Sequence, residues 1–335
     1  MTNEDVKSAL IEGGDTWNTV SKNLSSETTG LRNSELCGVT LNDRNLAEID
    51  FSGCDFFGAR LQRTNLKKST FEGADLSNAS MQEAALYKAN FTDAILQETD
   101  LNNADMSSSV CQGADFRGAT LTAVNFDSAD LRGADFSHAD LREVNLSNAD
   151  ITGAKFHFAR VSDANVTHTK YGTVNDMVGL YYGIRGIDTT YGNALLVRDA
   201  KDQDYIDTLY QAILSKPAGF VRTCDLVLFR AWGLIDHGRS LTKVALYAFI
   251  IATFYGLIYL MDMSFDWQIM DYSNSAQTWF TPFYYSVVTY TTLGFGDVTA
   301  DSLFGEIFVI SEVILGYFTL GLLLAILANT IARRS

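Results

Sequence analysis

Seven residues near the C-terminus, Thr291-Thr292-Leu293-Gly294-Phe295-Gly296-Asp297, combine residue types and spacing suited to ion chemistry. A potassium ion sheds its water only where stacked rings of oxygen replace that shell without holding the ion too tightly. Backbone carbonyls can do this if consecutive peptides turn the same way, which calls for alternate left-handed dihedrals of the kind glycine tolerates. Gly294 and Gly296 occupy those alternate positions. The carbonyls of Thr292, Leu293, Gly294 and Phe295 would then face a pore, with the Thr292 hydroxyl beneath them. Leu293 and Phe295 would point away and pack the segment from behind. A surface turn is the bland alternative for so short a string, and the flanking sequence decides between the two.

Those flanks have membrane dimensions. Leu241 to Met261 is an apolar run of 21 residues whose one charge is Lys243, long enough to cross a hydrocarbon core of roughly 30 Å. Leu303 to Ala332 is a second span, containing Gly305, Gly316 and Gly321 and closed by Arg333 and Arg334. At helical rise it reaches about 45 Å, so it must tilt or project. Between them, Thr278 to Tyr290 is too short to cross. Thr281 as a cap and Pro282 in the first turn predict a helix that enters and stops, its C-terminal end aiming partial negative charge at the ion path. The expected elements are an outer helix over 241–262, a pore helix over 281–291, a filter over 292–296 and an inner helix over 302–332. No Lys or Arg occurs from Val244 to Ala332, whereas Arg230, Arg239, Lys243, Arg333 and Arg334 flank the spans. The positive-inside rule then puts both termini in the cytoplasm of a cell membrane. The outer loop carries Asp262, Asp266, Asp271, Asp297 and Asp301, an acidic mouth that would concentrate cations. For Asp262 and Asp271 plain solvation is the competing reading.

With these residues in order, 241–335 resembles the pore of the bacterial two-transmembrane potassium channels. The match runs without a gap from Phe283-Tyr284-Tyr285-Ser286-Val287 through the filter string to Gly305, Gly316 and Gly321. The resemblance implies a homotetramer around one pore, with filter carbonyls as ligands of K+ in passage and Gly316 at an inner-helix hinge. It also implies a hydrogen bond from Tyr284 to Asp297, with Thr291 supporting the filter from below. The sequence departs from the family in having Leu-Gly-Phe where Val-Gly-Tyr is commonest, and in having Val288 where some members carry a carboxylate. Glu312 is an ionisable residue inside a span, hence a candidate functional site. It is expected either to bond a pore-helix group near Thr289 or to add negative potential to the cavity. Leu324 and Ala328, one turn apart below Gly316, are candidates for an inner constriction that closes by excluding water.

The first half has a different grammar. Counted in fives from Leu31, all 29 central positions through Tyr171 are apolar, without a slip. Two residues before each centre stands a small side chain, such as Ala74, Ala79, Ala84 or Ala114, with Asp or Asn often between. Neither helix nor strand has this period, so a repeat architecture is required. The pattern resembles the pentapeptide-repeat family. That resemblance implies a right-handed four-sided β-helix over 31–171, about seven coils and roughly 34 Å long at the spacing of paired strands. Residues 1–30 lack the period, and a helical stretch from Glu4 to Glu12 with Trp17 is expected to cap the open end.

Residues 172–240 follow neither pattern. Tyr205, Ile206, Leu209, Tyr210, Ile213 and Leu214 recur at helical spacing before Lys216-Pro217. Beyond them, Phe220 to Ile235 mixes apolar residues with Arg222, Arg230 and Trp232, suited either to the membrane surface or to packing against protein. The fold class expected is thus a multidomain membrane protein, a β-helix followed by an all-α pore. The net charge of −15 fits an acidic cytoplasmic rod. Some pentapeptide-repeat proteins imitate a DNA duplex, and the acidic rod is compatible with that, but tethering beneath a membrane argues against it; the net negative charge disfavours a nucleic-acid partner. Cys37, Cys54, Cys111 and Cys224 have neither metal nor disulfide spacing, and no cofactor or catalytic constellation is legible. Membrane lipid, K+ and identical subunits are the expected partners, with a protein partner for the rod left open. Two other functions stay open: a non-selective monovalent cation channel, and a repeat scaffold whose pore is incidental or closed.

Overall fold

The computed structural model describes residues 3–12, 31–172, 179–234, 240–273, 275, 278–291 and 298–332. The chain divides into two units, Met1–Ala212 and Ile213–Ser335.

In the first unit each pentad is one side of a coil. The central carbonyl accepts the N–H three residues on, as from Ala74 to Phe71 at 3.0 Å, closing a turn whose third residue has positive φ. That geometry favours Gly, Asn or Asp, and Gly73 (63°) and Asn78 (58°) supply it. Four such turns complete a coil, so residue n bridges residue n+20 in parallel, from Glu35 with Asp55 through Asp150 with Lys170. Centres one coil apart therefore stack. Phe71 lies on Phe91 at 4.8 Å and Phe116 on Phe136 at 4.9 Å, with ring planes within 7° of parallel. The small positions fill the rest of the core. Where Thr or Ser replaces Ala there, the buried hydroxyl finds a carbonyl of the previous coil, as Thr99 Oγ1 does on Leu76 at 2.7 Å, which removes the cost of an unpaired polar group. Corner aspartates close local turns; Asp75 Oδ1 accepts the Ser77 N–H at 2.9 Å.

Both ends are covered. Helix α1 (Asn3–Glu12) sets Leu10 into the same core as Leu31; Trp17 lies outside the described residues. At the other end the ladder does not stop at Tyr171. Ile151 N–H reaches Lys170 O, 19 residues on, whereas Phe156 N–H reaches Leu180 O, 24 on, and Val166 N–H reaches Tyr191 O, 25 on. A further partial coil therefore follows an insertion that breaks the spacing. Helix α2 (Ala194–Ser215) then lays Leu196 and Ala200 onto that core. Of the face expected from spacing, Ile206 and Ile213 are buried, but Tyr205 is 65% exposed, and Gln203 and Asp207 are buried instead.

The second unit holds α3 (Phe220–Leu234), α4 (Leu241–Phe265), α5 (Thr281–Tyr290) and α6 (Leu303–Ala332). Two short strands, β1 (Met270–Asp271) and β2 (Thr299–Ala300), pair antiparallel. Ser240 caps α4, its hydroxyl accepting the Lys243 N–H at 3.2 Å. The helix runs beyond the expected end at Asp262 to a left-handed Asp266 (φ 49°). Thr281 is not the cap of α5. Phe280 holds that position with no side-chain bond, and the Thr281 hydroxyl instead accepts the Thr278 N–H at 3.0 Å.

The stacked rings give the first unit its largest buried side chains. Phe116→Ala is expected to lower its stability by about 3–5 kcal/mol. Phe57→Ala, at a half-exposed ring, should cost less than about 0.5 kcal/mol. Thermal denaturation followed by circular dichroism compares the two.

Candidate functional site

Three helix faces meet in the second unit, each built at helical spacing. On α6 the face is Glu312, Gly316 and Thr319; on α5 it is Ser286 and Tyr290; on α4 it is Ala252, Gly256 and Tyr259. They interlock turn by turn. Glu312 is fully buried. One carboxyl oxygen accepts from the Tyr259 hydroxyl at 2.8 Å, and the other meets the Ser286 hydroxyl, which also reaches the Ala252 carbonyl at 2.7 Å. One turn along, Gly316 lies under the backbone carbonyl of Tyr290, so close that a Cβ there would collide with it. Tyr290 then shares a hydrogen bond with Thr319 at 2.7 Å. On the α4 side Gly256 admits the ring of Phe283, whose nearest carbon would lie 2.6 Å from a Cβ at that position. Tyr255 and Ser311 share a further bond at 2.7 Å.

The loop that follows α4 is fastened by Asp262. It is buried, and its two carboxylate oxygens accept the N–H groups of Ile269 and Met270, each at 3.0 Å. The reading of Asp262 as part of an acidic mouth or as a solvated charge is corrected: it anchors the turn between α4 and β1. Beside it, burial pushes the Tyr272 hydroxyl above its ordinary range, and that hydroxyl donates to the Tyr259 carbonyl at 3.0 Å. Gly305 sits against the Ile269 carbonyl, joining the same loop to α6. Asp271 accepts the Ser273 N–H at 2.8 Å, which holds its carboxyl below the usual range. Asp266 and Asp301 are exposed.

Of the residues singled out by sequence, Glu312 is brought to the pore-helix candidate α5, on Ser286 rather than near Thr289. Thr291 follows α5 directly, and its hydroxyl bonds back to Val287 O at 2.7 Å. Tyr284 is 40% exposed, while its neighbour Tyr285 is buried against Tyr259. Leu324 is 57% exposed and Ala328 is exposed on the same side of α6. Thr292, Leu293, Gly294, Phe295, Gly296 and Asp297 lie outside the described residues, and with them the bond expected between Tyr284 and Asp297. Ser286, Tyr259, Asp262 and Thr319 were missed as positioning groups. The available signal was their polarity within or beside apolar spans, where such groups must find partners.

Residues 34–167 match a family model described as pentapeptide repeats, in eight copies, and residues 244–333 match one described as ion channel. The chain joins a pentapeptide-repeat domain to an ion-channel domain. Similar solved structures include HetL, a pentapeptide repeat protein involved in heterocyst differentiation regulation from the cyanobacterium Nostoc (20% identity, 48% of this chain and 87% of that one, TM-score 0.24). They also include QnrB1, a plasmid-mediated fluoroquinolone resistance protein (18% identity, 51% and 83%, TM-score 0.34). A third is a pentapeptide repeat protein of the Arabidopsis thaliana thylakoid lumen (30% identity, 38% and 87%, TM-score 0.20). No curated protein matches the chain. In the channel domain, Leu241–Phe265 and Leu303–Ala328 are long and apolar enough to cross a bilayer, and together with the channel family match they make this a membrane protein. Large apolar side chains left open on one protomer, such as Phe249, Phe254, Ile314 and Phe318, give the channel domain surface for lipid and for further subunits.

Gly316→Ala drives a methyl group into the Tyr290 backbone and is expected to destabilise the channel domain by about 1–3 kcal/mol. At Gly321 a methyl group would meet nothing within 4 Å, so Gly321→Ala should be neutral or stabilising by up to about 1 kcal/mol. Thermal unfolding of the full chain in detergent separates the two glycines.

Proposed function

We propose that this chain is one subunit of a homotetrameric potassium channel that passes K+ down its electrochemical gradient. It sits in a cell membrane with both termini cytoplasmic, and the pentapeptide-repeat domain serves as scaffold or regulatory module. The observation that carries this reading is the sequence Thr291 to Asp297 following directly on α5, a short helix tied to both spans by Glu312, Ser286, Tyr259 and Tyr290. A filter of backbone carbonyls selects only if its supports hold it in register, and a short helix clasped on two sides is such a support. On this reading the carbonyls from Thr292 to Phe295 face the ion, Gly294 and Gly296 allow the peptide alternation, and Asp297 closes the outer end. Leu324 and Ala328 stand at the cytoplasmic end of α6, where converging inner helices would form a constriction.

Reconstituted full-length protein should show a reversal potential that follows the potassium gradient when sodium balances it across the membrane. A reversal potential between the two ions would indicate a non-selective monovalent cation channel, and absence of flux a repeat scaffold with a closed pore.

A further inference from the structure

The face by which α2 docks on the last coil is not wholly apolar. Leu196, Ala200, Gln203 and Asp207 follow one another at helical spacing on a single stripe, and Gln203 (1% exposed) and Asp207 (9%) are buried with the other two. One bond joins the polar pair, from Gln203 Nε2 to Asp207 Oδ1 at 2.9 Å. Their other oxygens, Gln203 Oε1 and Asp207 Oδ2, are buried with no hydrogen-bond partner. Both are acceptors, so what the pair lacks is a donor. The titratable groups facing Asp207 do not supply one. They are Asp204 on its own helix and His157 on the coil. Asp204 is a like charge that accepts the Gly183 N–H at 2.6 Å, and Nε2 of the His157 ring is engaged with the Gly179 carbonyl. The Gly179 N–H faces the carboxyl but makes no bond to Oδ2. Elsewhere on α2, Asp199 pairs with Arg198 at 2.6 Å and with the Tyr171 hydroxyl at 3.2 Å, and Lys201 pairs with Asp188 at 2.5 Å.

We propose that Asp207 and Gln203 form a proton-operated latch that fastens α2 to the last coil, closed when Asp207 carries a proton on Oδ2 and loosened when it does not. A neutral carboxyl and a primary amide are complementary: the amide donates an N–H to one carboxyl oxygen, and the acid donates its O–H to the amide oxygen. The first of these bonds is in place. The proton supplies the second and gives both unpaired oxygens a partner. Ionisation leaves them unpaired and adds a buried charge beside Asp204, a cost that falls on the docking of α2. Burial pushes the Asp207 carboxyl above its ordinary range, and the Asp204 charge pushes it the same way; burial also raises Asp204. A carboxyl raised in the docked state stabilises docking in acid, and that contribution is lost as pH rises through the docked-state value. Acid therefore tightens the latch and alkali loosens it. Helix α2 is the element by which the chain leaves the repeat domain on its way to the channel domain, so the latch makes that exit sensitive to pH.

The test is hydrogen–deuterium exchange of the full chain in detergent, from about pH 5 to about pH 8, with protection corrected for the intrinsic rate at each pH and coil residues 91–130 as reference. Expected is protection of residues 203–210 that falls as pH rises, by at most about tenfold per pH unit for each proton released. Asp207→Asn replaces the neutral acid by an amide that can make both bonds without ionising. Its protection should stay within about threefold of the acid-end value of the unaltered chain across the range. Asp204→Asn keeps an acceptor for Gly183 but removes the like charge, and should move the fall to lower pH. Protection that is level or rises with pH in the unaltered chain overturns the proposal. So does a fall that survives Asp207→Asn in full, or one that keeps its midpoint in Asp204→Asn. Recovery of protection at the alkaline end on adding Mg2+ overturns it in favour of a bound cation.

Discussion

A carboxyl group buried between apolar helices is tolerated only if both its oxygens are paired, and Glu312 meets that requirement by drawing on two other helices at once. Tyr259 of α4 and Ser286 of α5 supply the partners. Neither can move without leaving a polar group unpaired in a low-dielectric setting, where the loss exceeds that of an ordinary hydrogen bond. The position of α5 follows from this, because the Glu312 contact fixes its middle and the Gly316 and Thr319 contacts fix its end at Tyr290. Thr291 begins where that end points, and the candidate filter follows it in the sequence. The loop on the other side is set by the same logic, with Asp262 satisfying two backbone N–H groups and Tyr272 reaching the carbonyl of Tyr259.

The repeat domain depends on local rules and was correspondingly legible. A pentad fixes its own turn through a positive-φ residue and its own core position through the central side chain, so the period from Leu31 to Tyr171 appears in the sequence as regular as it is in the coil. The last partial coil was hidden because its register is set by partners in space. Phe156 and Val166 pair with Leu180 and Tyr191 across inserted residues, and once the count of five fails, only the backbone ladder reveals the continuation. The buried side of α2 was not legible, for a related reason. Tyr205 and Tyr210 are at helical spacing with Ile206 and Ile213, but the buried face of α2 also takes in Gln203 and Asp207, which bond to each other along the helix at 2.9 Å.

In the channel domain the elements were legible and their fastenings were not. Span length, the short intervening helix and the glycine-bearing string all follow from composition and order. Glu312 stood out as a charge in an apolar run, yet its partner was expected near Thr289, because spacing along α6 says nothing of the height at which α5 crosses it. The side chains of Tyr259 and Ser286 read as ordinary polar residues until the crossing is known. Gly316 stood out as a hinge by resemblance; in the structure α6 runs through it, and its missing side chain also admits the Tyr290 carbonyl. A close contact and a bend both call for glycine, and sequence cannot separate them.

The clasp at Glu312 is tested most directly by a double-mutant cycle of Tyr259→Phe and Glu312→Ala, read by unfolding of the full chain in detergent. If the buried bond fixes α4 to α5 through α6, the two substitutions should be coupled by about 0.5–3 kcal/mol. Additive effects, agreeing to within about 0.3 kcal/mol, would contradict it.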